Sequence, residues 1–438
     1  MWIVCQIGAR EHYAIPRALH ARAELAGLVT DFWVPPGHCF SRLPGARRLQ
    51  DRFHPELGNA TVHAPNVRML GFELEQRCRR KSGWSGILER NVLFQRIALS
   101  HLAALSADSC SLSPEISSSQ LHLTPLGASG TARRSVPTLF SYSYAALELF
   151  RFAKQLGWQT VLGQIDPGPE EERIVAEEQR RYSHLASNWR PVPASYWESW
   201  WEEVALADRI IVNSEWSRKC LAKDGVPAEK MEVVPLVFEK TEDLETEDRR
   251  TETQSPTERW LQSAGGRGNQ ETRTKNQERG TLSVLFLGQI NLRKGGGRLL
   301  DAMRLLKADD IELTLAGPSE IDPAAWAALP KVRWVGPVPR SEVARYYRAA
   351  DLFILPTLSD GYALTQLEAL AHGLPVLASK SCGAAVTHGK NGWLLEDLEP
   401  ATIADALHQA WKALPLPEVV PPQCTLADLG RALMRHEA

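Results

Sequence analysis

Five short runs, LSVLFL (282–287), IELTLA (311–316), VRWV (332–335), LFIL (352–355) and LPVLA (374–378), are rich in β-forming residues and apolar at successive positions. Helical patterns stand among and after them, near 296–308, 341–350, 363–372 and 401–413. A strand that is apolar on both faces must be covered on both, and helices alternating with strands do that. The pattern therefore implies a parallel sheet between two helical layers. The first 238 residues repeat it less cleanly, with strands at 2–7, 28–34, 137–141, 158–163 and 209–213. Helices are expected there over 12–26, 86–105, 144–156, 170–186 and 214–224. The expected fold is α/β: two Rossmann-like doubly wound domains facing across a cleft, with ligands at the carboxyl ends of the strands.

A length of 438 residues agrees with two cores rather than one. Two stretches interrupt the pattern. Residues 106–135 hold nine serines in thirty, and residues 239–280 are mostly charged or polar, with Leu244, Trp260 and Leu261 as their large apolar side chains. Neither can bury enough surface to offset chain entropy, so both are expected to be disordered. The first is then an insertion in an N-terminal domain, 1–238, and the second a linker. A C-terminal domain follows over 281–413, and a tail, 414–438, carries a short helix near 425–435 beyond Pro415, Pro417, Pro421 and Pro422.

Composition excludes several classes. A net charge of −2 gives no electrostatic argument for nucleic acid as a partner. Seven cysteines occur without a C-x-x-C pair, against a disulfide framework or a zinc knuckle and in keeping with a reducing cytoplasm. The opening MWIVCQIGAR lacks a basic leader, and no apolar run approaches a membrane span, so a cytoplasmic protein is expected. There is no G-x-G-x-x-G for a dinucleotide and no P-loop. The run EQRCRRK (75–81) is first a solvated helix face; a peripheral contact with anionic lipid at the inner face of the membrane is the weaker reading.

The densest chemistry lies in SDGYALTQLEALAHGLPVLAS (359–379). The strand LFIL ends at Pro356, which puts Asp360 and Gly361 in the turn at its carboxyl end, where open α/β sheets bind ligands. Gly361 would let the backbone approach a ligand, and the helix beginning near Ala363 would aim its first N–H groups at the same point, an arrangement suited to phosphate. On that helix Glu368 falls about 40° from Leu364, at the edge of the apolar face. Alone, such an acid more often pairs with a neighbouring base.

These residues resemble the E-x7-E motif of retaining nucleotide-sugar glycosyltransferases, family 4 of the GT-B fold, whose usual pattern is E-G-F-G-L-x-x-L-E-A-x-A-x-G-x-P-V-x-A-S. The flanks FLGQINLRKGG (286–296), AGPSE (316–320), WVGPVPRSEVARYYRAADLFILPTLSD (334–360) and HGKNGWLLED (388–397) fall in family order. SEWSRKCLAKDGVPAEKMEVVP (214–235) resembles the end of an acceptor domain more loosely. The resemblance implies a metal-independent transfer of sugar from a nucleotide-diphosphate-sugar donor to a saccharide or lipid-linked acceptor, with the donor anomer retained. It makes Arg293, Lys294 and Asp360 catalytic, with the basic pair on an exposed loop. Gly288, Gly317, Gly361, Ala363, Leu364, Thr365 and Glu368 become donor-binding, Glu368 through the ribose hydroxyls and the N–H groups of Ala363 and Leu364 through phosphate. No resident cofactor or metal is implied, in keeping with the absence of any D-x-D.

The chain departs from the pattern at four places. Asp360 replaces a glutamate, Ala363 a second glycine, Gln289 an arginine and Ile165 a histidine, which leaves Asp166 as the polar candidate on the acceptor side, with His12 beside it. Two other readings follow from these changes. One is a GT-B protein that binds a nucleotide sugar or a partner without turnover; the other is a different GT-B enzyme such as a sugar-nucleotide epimerase.

Overall fold

The computed structural model describes every residue except 43–48, 50–51, 80–82, 111–135, 187–188, 239–279, 307–309, 418, 423 and 436–438. The expected insertion and linker fall almost wholly outside the described residues. In chain order the first half contributes β1 (Trp2–Gln6), α1 (Ala14–His20), β2 (Leu25–Thr30), β3 (Val62–His63), α2 (Asn66–Cys78), α3 (Trp84–Cys110), β4 (Thr138–Tyr142) and α4 (Leu147–Gln155). It continues with β5 (Gln159–Gln164), α5 (Pro169–Arg181), α6 (Ala194–Leu206), β6 (Arg209–Val212), α7 (Glu215–Asp224) and β7 (Met231–Val233). The second half supplies β8 (Leu282–Leu287), α8 (Gly296–Leu305), β9 (Ile311–Ala316), α9 (Ala324–Ala327), β10 (Val332–Trp334), α10 (Arg340–Ala349) and β11 (Leu352–Leu355). It ends with α11 (Leu364–Ala371), β12 (Val376–Ala378), β13 (Gly392–Leu394), α12 (Pro400–Ala413) and α13 (Leu426–Met434).

The strands form two parallel sheets, ordered β3-β2-β1-β4-β5-β6-β7 and β10-β9-β8-β11-β12-β13. The order in which strands are added reverses between β1 and β4 in the first and between β8 and β11 in the second, while the strands stay parallel, so each sheet has one switch point. The period of two sorts each strand between two cores. In the first sheet Leu139, Leu162 and Val212 pack with α3, α4 and α6 through Phe94, Phe150 and Trp200. Their neighbours Phe140, Val161 and Ile211 pack on the other face with Leu19 of α1 and Leu429 and Leu433 of α13. In the second, Val284, Phe286 and Ile354 meet α8 and α12, while Leu285, Phe353 and Leu355 meet α10 and α11. Burial on both faces is why these strands read as unbroken apolar runs. No helix among the described residues is long and apolar enough to cross a membrane.

Several boundaries depart from expectation. Where a helix was expected to open at residue 12, Glu11, His12 and Tyr13 form a left-handed turn with φ of 50°, 52° and 61°, and α1 starts only at Ala14. Strand β2 lies at Leu25–Thr30 rather than 28–34. Helix α3 runs to Cys110, so the first five residues of the expected insertion are helical. Helices α2 and α6 were not anticipated. Val67 and Leu74 of α2 face solvent, so that helix shows no complete apolar stripe to read. At its end Arg79 pairs with Glu75 at 2.6 Å, as on a solvated face. The tail helix α13 crosses back to the first sheet, where Arg209 donates to the carbonyls of Leu433 and Ala432 at 2.8 and 3.2 Å.

Candidate functional site

The switch point of the second sheet brings two loops together. The carbonyl of Arg293, in the loop after β8, accepts from Leu358 N at 2.9 Å and from Thr357 Oγ1 at 3.2 Å, in the loop after β11. Gly295 turns that loop into α8 at φ 77°, and a Cβ there would stand 1.9 Å from the Pro356 carbonyl oxygen, so only glycine fits. Arg293 Nη1 then donates to the Ser359 carbonyl at 3.1 Å and lies 3.6 Å from Asp360 Oδ1, and Lys294 Nζ pairs with Asp360 Oδ2. The expected exposed loop is therefore largely enclosed: the Lys294 side chain is 16% exposed. Two cations and one carboxylate are fixed at the sheet's carboxyl end.

The first sheet supplies acids opposite them. Asp166, just past β5, accepts from Tyr144 Oη at 2.5 Å, Gly168 N at 2.9 Å and Gln164 Nε2 at 3.1 Å. Burial pushes its carboxyl upward, against the pull of those bonds and of Arg293. Glu171, in the first turn of α5, places Oε1 3.5 Å from Arg293 Nη1, and burial pushes its carboxyl up to about 7 despite that guanidinium. Tyr144 is held by a third acid. Glu203 of α6 accepts from the backbone N–H groups of Tyr144, Ala146 and Leu147 at 2.7, 2.8 and 3.1 Å, fixing a turn in which Tyr144 has φ 74°. Burial raises Glu203 to about 7 as well. Between the sheets lies a cavity of about 610 Å³ whose walls include Trp84, Tyr144, Asp166, Glu171, Tyr196, Trp197 and Arg293.

The other candidate residues take varied positions. Gly361 is needed for contact between the two halves: a Cβ there would stand 2.3 Å from the Ile165 carbonyl oxygen and 2.6 Å from Asn213 Nδ2. The N–H of Ala363 does not face a phosphate site, because it donates to the Cys382 carbonyl at 3.0 Å. Ala363 is the N-cap of α11, so Leu364 and Thr365 carry the first N–H groups that have no partner within the helix. Glu368 Oε2 accepts from Tyr347 Oη at 2.9 Å. Gly288 and Gly317 directly follow β8 and β9, where a Cβ on Gly317 would stand 2.0 Å from the Gly288 carbonyl oxygen, and Gln289 pairs with Glu320. His12 is exposed, with Nε2 2.9 Å from Arg340 Nη2 of the second half. The cavity lining includes Asp166 and not His12.

Glu171, Tyr144, Tyr196 and Trp197 were missed in the sequence. Glu171 sits in a run of three glutamates after Pro169, the ordinary composition of a helix N-terminus, so nothing local distinguishes it. Its role arises from the opposing sheet.

Known proteins share parts of this sequence and its fold. The family model "Glycosyl transferases group 1" matches residues 281–413. A D-inositol 3-phosphate glycosyltransferase of Corynebacterium kroppenstedtii is 30% identical over 244 residues, covering 51% of this chain and 50% of that protein. The protein of the same name from Pseudarthrobacter chlorophenolicus is 32% identical over 167 residues, covering 35% and 38%. The chain thus spans half or less of the length of these relatives. Among solved structures, HepE of Anabaena in complex with UDP superposes with a TM-score of 0.51 at 14% identity, over 99% of this chain and 94% of that one. Sucrose-phosphate synthase of Thermosynechococcus elongatus gives 0.51 at 16% identity, over 99% and 94%. At such identities the likeness establishes the fold. The chain has the two-sheet GT-B fold, and its residues 281–413 match the family model of the group 1 glycosyl transferases.

Proposed function

We propose that the chain is a retaining glycosyltransferase that moves a sugar from a nucleotide-diphosphate-sugar donor to an acceptor hydroxyl without a metal ion. One observation carries this reading. Arg293 and Lys294 meet Asp360 at the switch point of the second sheet, directly opposite Asp166 and Glu171 of the first. Breaking the bond between the anomeric carbon and the donor phosphate leaves negative charge on a phosphate oxygen. Two fixed cations in a half-enclosed site stabilise that charge without reorganisation. Asp360, one methylene shorter than glutamate, is placed to accept from sugar hydroxyls. In this reading the leaving phosphate takes the acceptor's proton while the new bond forms on the face it vacates, so no protein nucleophile is required. HepE, with UDP bound on the same fold, supports a nucleotide donor here.

The test is NMR of the product's anomeric proton, with UDP-, GDP- and ADP-sugars, in the presence and absence of EDTA. Retained configuration and activity surviving chelation are expected. An inverted anomer overturns the retaining assignment, and loss on chelation restored by Mg²⁺ or Mn²⁺ overturns metal independence. Donor binding without turnover would make this a binding protein, and an isomerised sugar nucleotide would make it an epimerase.

A further inference from the structure

The cavity between the sheets has a definite chemical character. One wall is aromatic: the Tyr144 and Tyr196 rings stack at 4.5 Å and 20°, and Trp197 and Trp84 each meet Tyr196 edge-on, at 5.4 and 5.1 Å. Glu172 keeps Trp197 in place, accepting from its Nε1 at 2.5 Å and from Val192 N at 2.6 Å. The inner end is acidic. Asp166 and Glu171 lie there, and Arg293 is already shared between Glu171 and Asp360. Counted over the whole lining, four carboxylates (Asp166, Glu171, Glu172 and Glu320) face two guanidinium groups (Arg190 and Arg293). Flat apolar faces pack on aromatic rings, and carboxylates in a desolvated site take hydroxyl or ammonium donors. Burial already holds Asp166 and Glu171 toward their neutral form, and the close to two negative charges of a phosphomonoester would push both further that way and be repelled by Glu172 and Glu320.

We propose that this cavity is the acceptor site, and that it selects an uncharged or ammonium-bearing glycoside while rejecting one phosphorylated on the reacting ring. One face of the glycoside packs on Tyr196 and Trp197, and its hydroxyls donate to Asp166 and Glu171. The assignment rests on the glycosyl-transfer reading above. It also sets this chain apart from relatives whose name specifies an inositol 3-phosphate.

The experiment measures acceptor and donor binding separately on the full chain. Phenyl β-D-glucopyranoside, D-glucosamine, D-glucose 6-phosphate and myo-inositol 3-phosphate are compared by saturation-transfer NMR and titration calorimetry, and UDP is titrated on its own. The first two probes should bind at least tenfold more tightly than the two phosphates. Tyr196→Leu, which keeps apolar volume and removes the ring, should weaken phenyl glucoside about tenfold and leave UDP affinity unchanged. Glu171→Gln, which keeps the side chain's size, should narrow the gap between neutral and phosphorylated probes. Equal or tighter binding of either phosphate, no binding by any sugar probe, or one-for-one displacement of phenyl glucoside by UDP overturns the assignment. UDP binding without glycoside binding would leave the donor reading standing. Glycoside binding without nucleotide binding would do the reverse.

Discussion

Arg293, carried by the second sheet, reaches within 3.5 Å of Glu171, carried by the first, so the cleft is spanned by an ion pair whose acid is pushed up to about 7 by burial. The folded chain therefore holds a proton at Glu171 that the unfolded chain, with its ordinary value of 4.5, releases earlier. This contribution to stability is fully present below about pH 4.5 and is lost as pH rises through about 7. Thermal melts between pH 5.5 and 8 should show a falling Tm, and Glu171→Gln should flatten the fall. Glu203, raised in the same direction, keeps part of the slope in that variant. An unchanged slope in Glu171→Gln would show that its carboxyl titrates normally.

Replacing Arg293 and Lys294 together by alanine should lower transfer on the order of 100-fold, the usual effect of losing an electrostatic partner of the leaving group. Because both cations neutralise Asp360, a loss of stability should accompany it, and adding Asp360→Asn should recover part of that stability but not the rate. Steady-state kinetics and urea melts on the two variants separate the effects. Turnover within a few-fold of the parent would place the diphosphate elsewhere.

Glu368→Gln should weaken nucleotide-sugar binding by about 1.5–3 kcal/mol, the range for a hydrogen bond to a charged acceptor. Tyr347→Phe removes the hydroxyl that orients this carboxylate and should have a smaller effect in the same direction. Calorimetric titration with a donor decides it, and an unchanged affinity in Glu368→Gln would remove Glu368 from the donor site.

Arg298 of α8 donates to both oxygens of Glu178 of α5 at 2.8–3.1 Å, and Glu178 is 2% exposed. Arg298→Ala leaves that carboxylate buried without its partner and should cost about 3–5 kcal/mol in urea unfolding. Arg298→Lys, which cannot reproduce the two-pronged contact, should fall between. A cost below about 1 kcal/mol would mean that the two halves separate without exposing Glu178.

Both sheets, their parallel character and the loop bearing Arg293, Lys294 and Asp360 were legible in the sequence. Strands covered on both faces must be apolar at most positions, and a turn at a strand's carboxyl end is local. The same locality makes the start of α11 readable to within a residue. What lies between the halves was not legible. Gly361 reads as a glycine at a ligand, yet the Ile165 carbonyl and Asn213 fill the space beside it. Ala363 reads as the start of a helix whose first N–H groups face phosphate, yet its own N–H is taken by Cys382, nineteen positions away in the chain. Glu171 is one of three adjacent glutamates until Arg293 approaches from the other sheet and burial raises its carboxyl. The pattern of apolar residues determines which elements form, because each element buries its own face. Which polar groups share the cleft depends on how two separately built sheets meet, and desolvation at that meeting follows from distance in space rather than spacing in the chain.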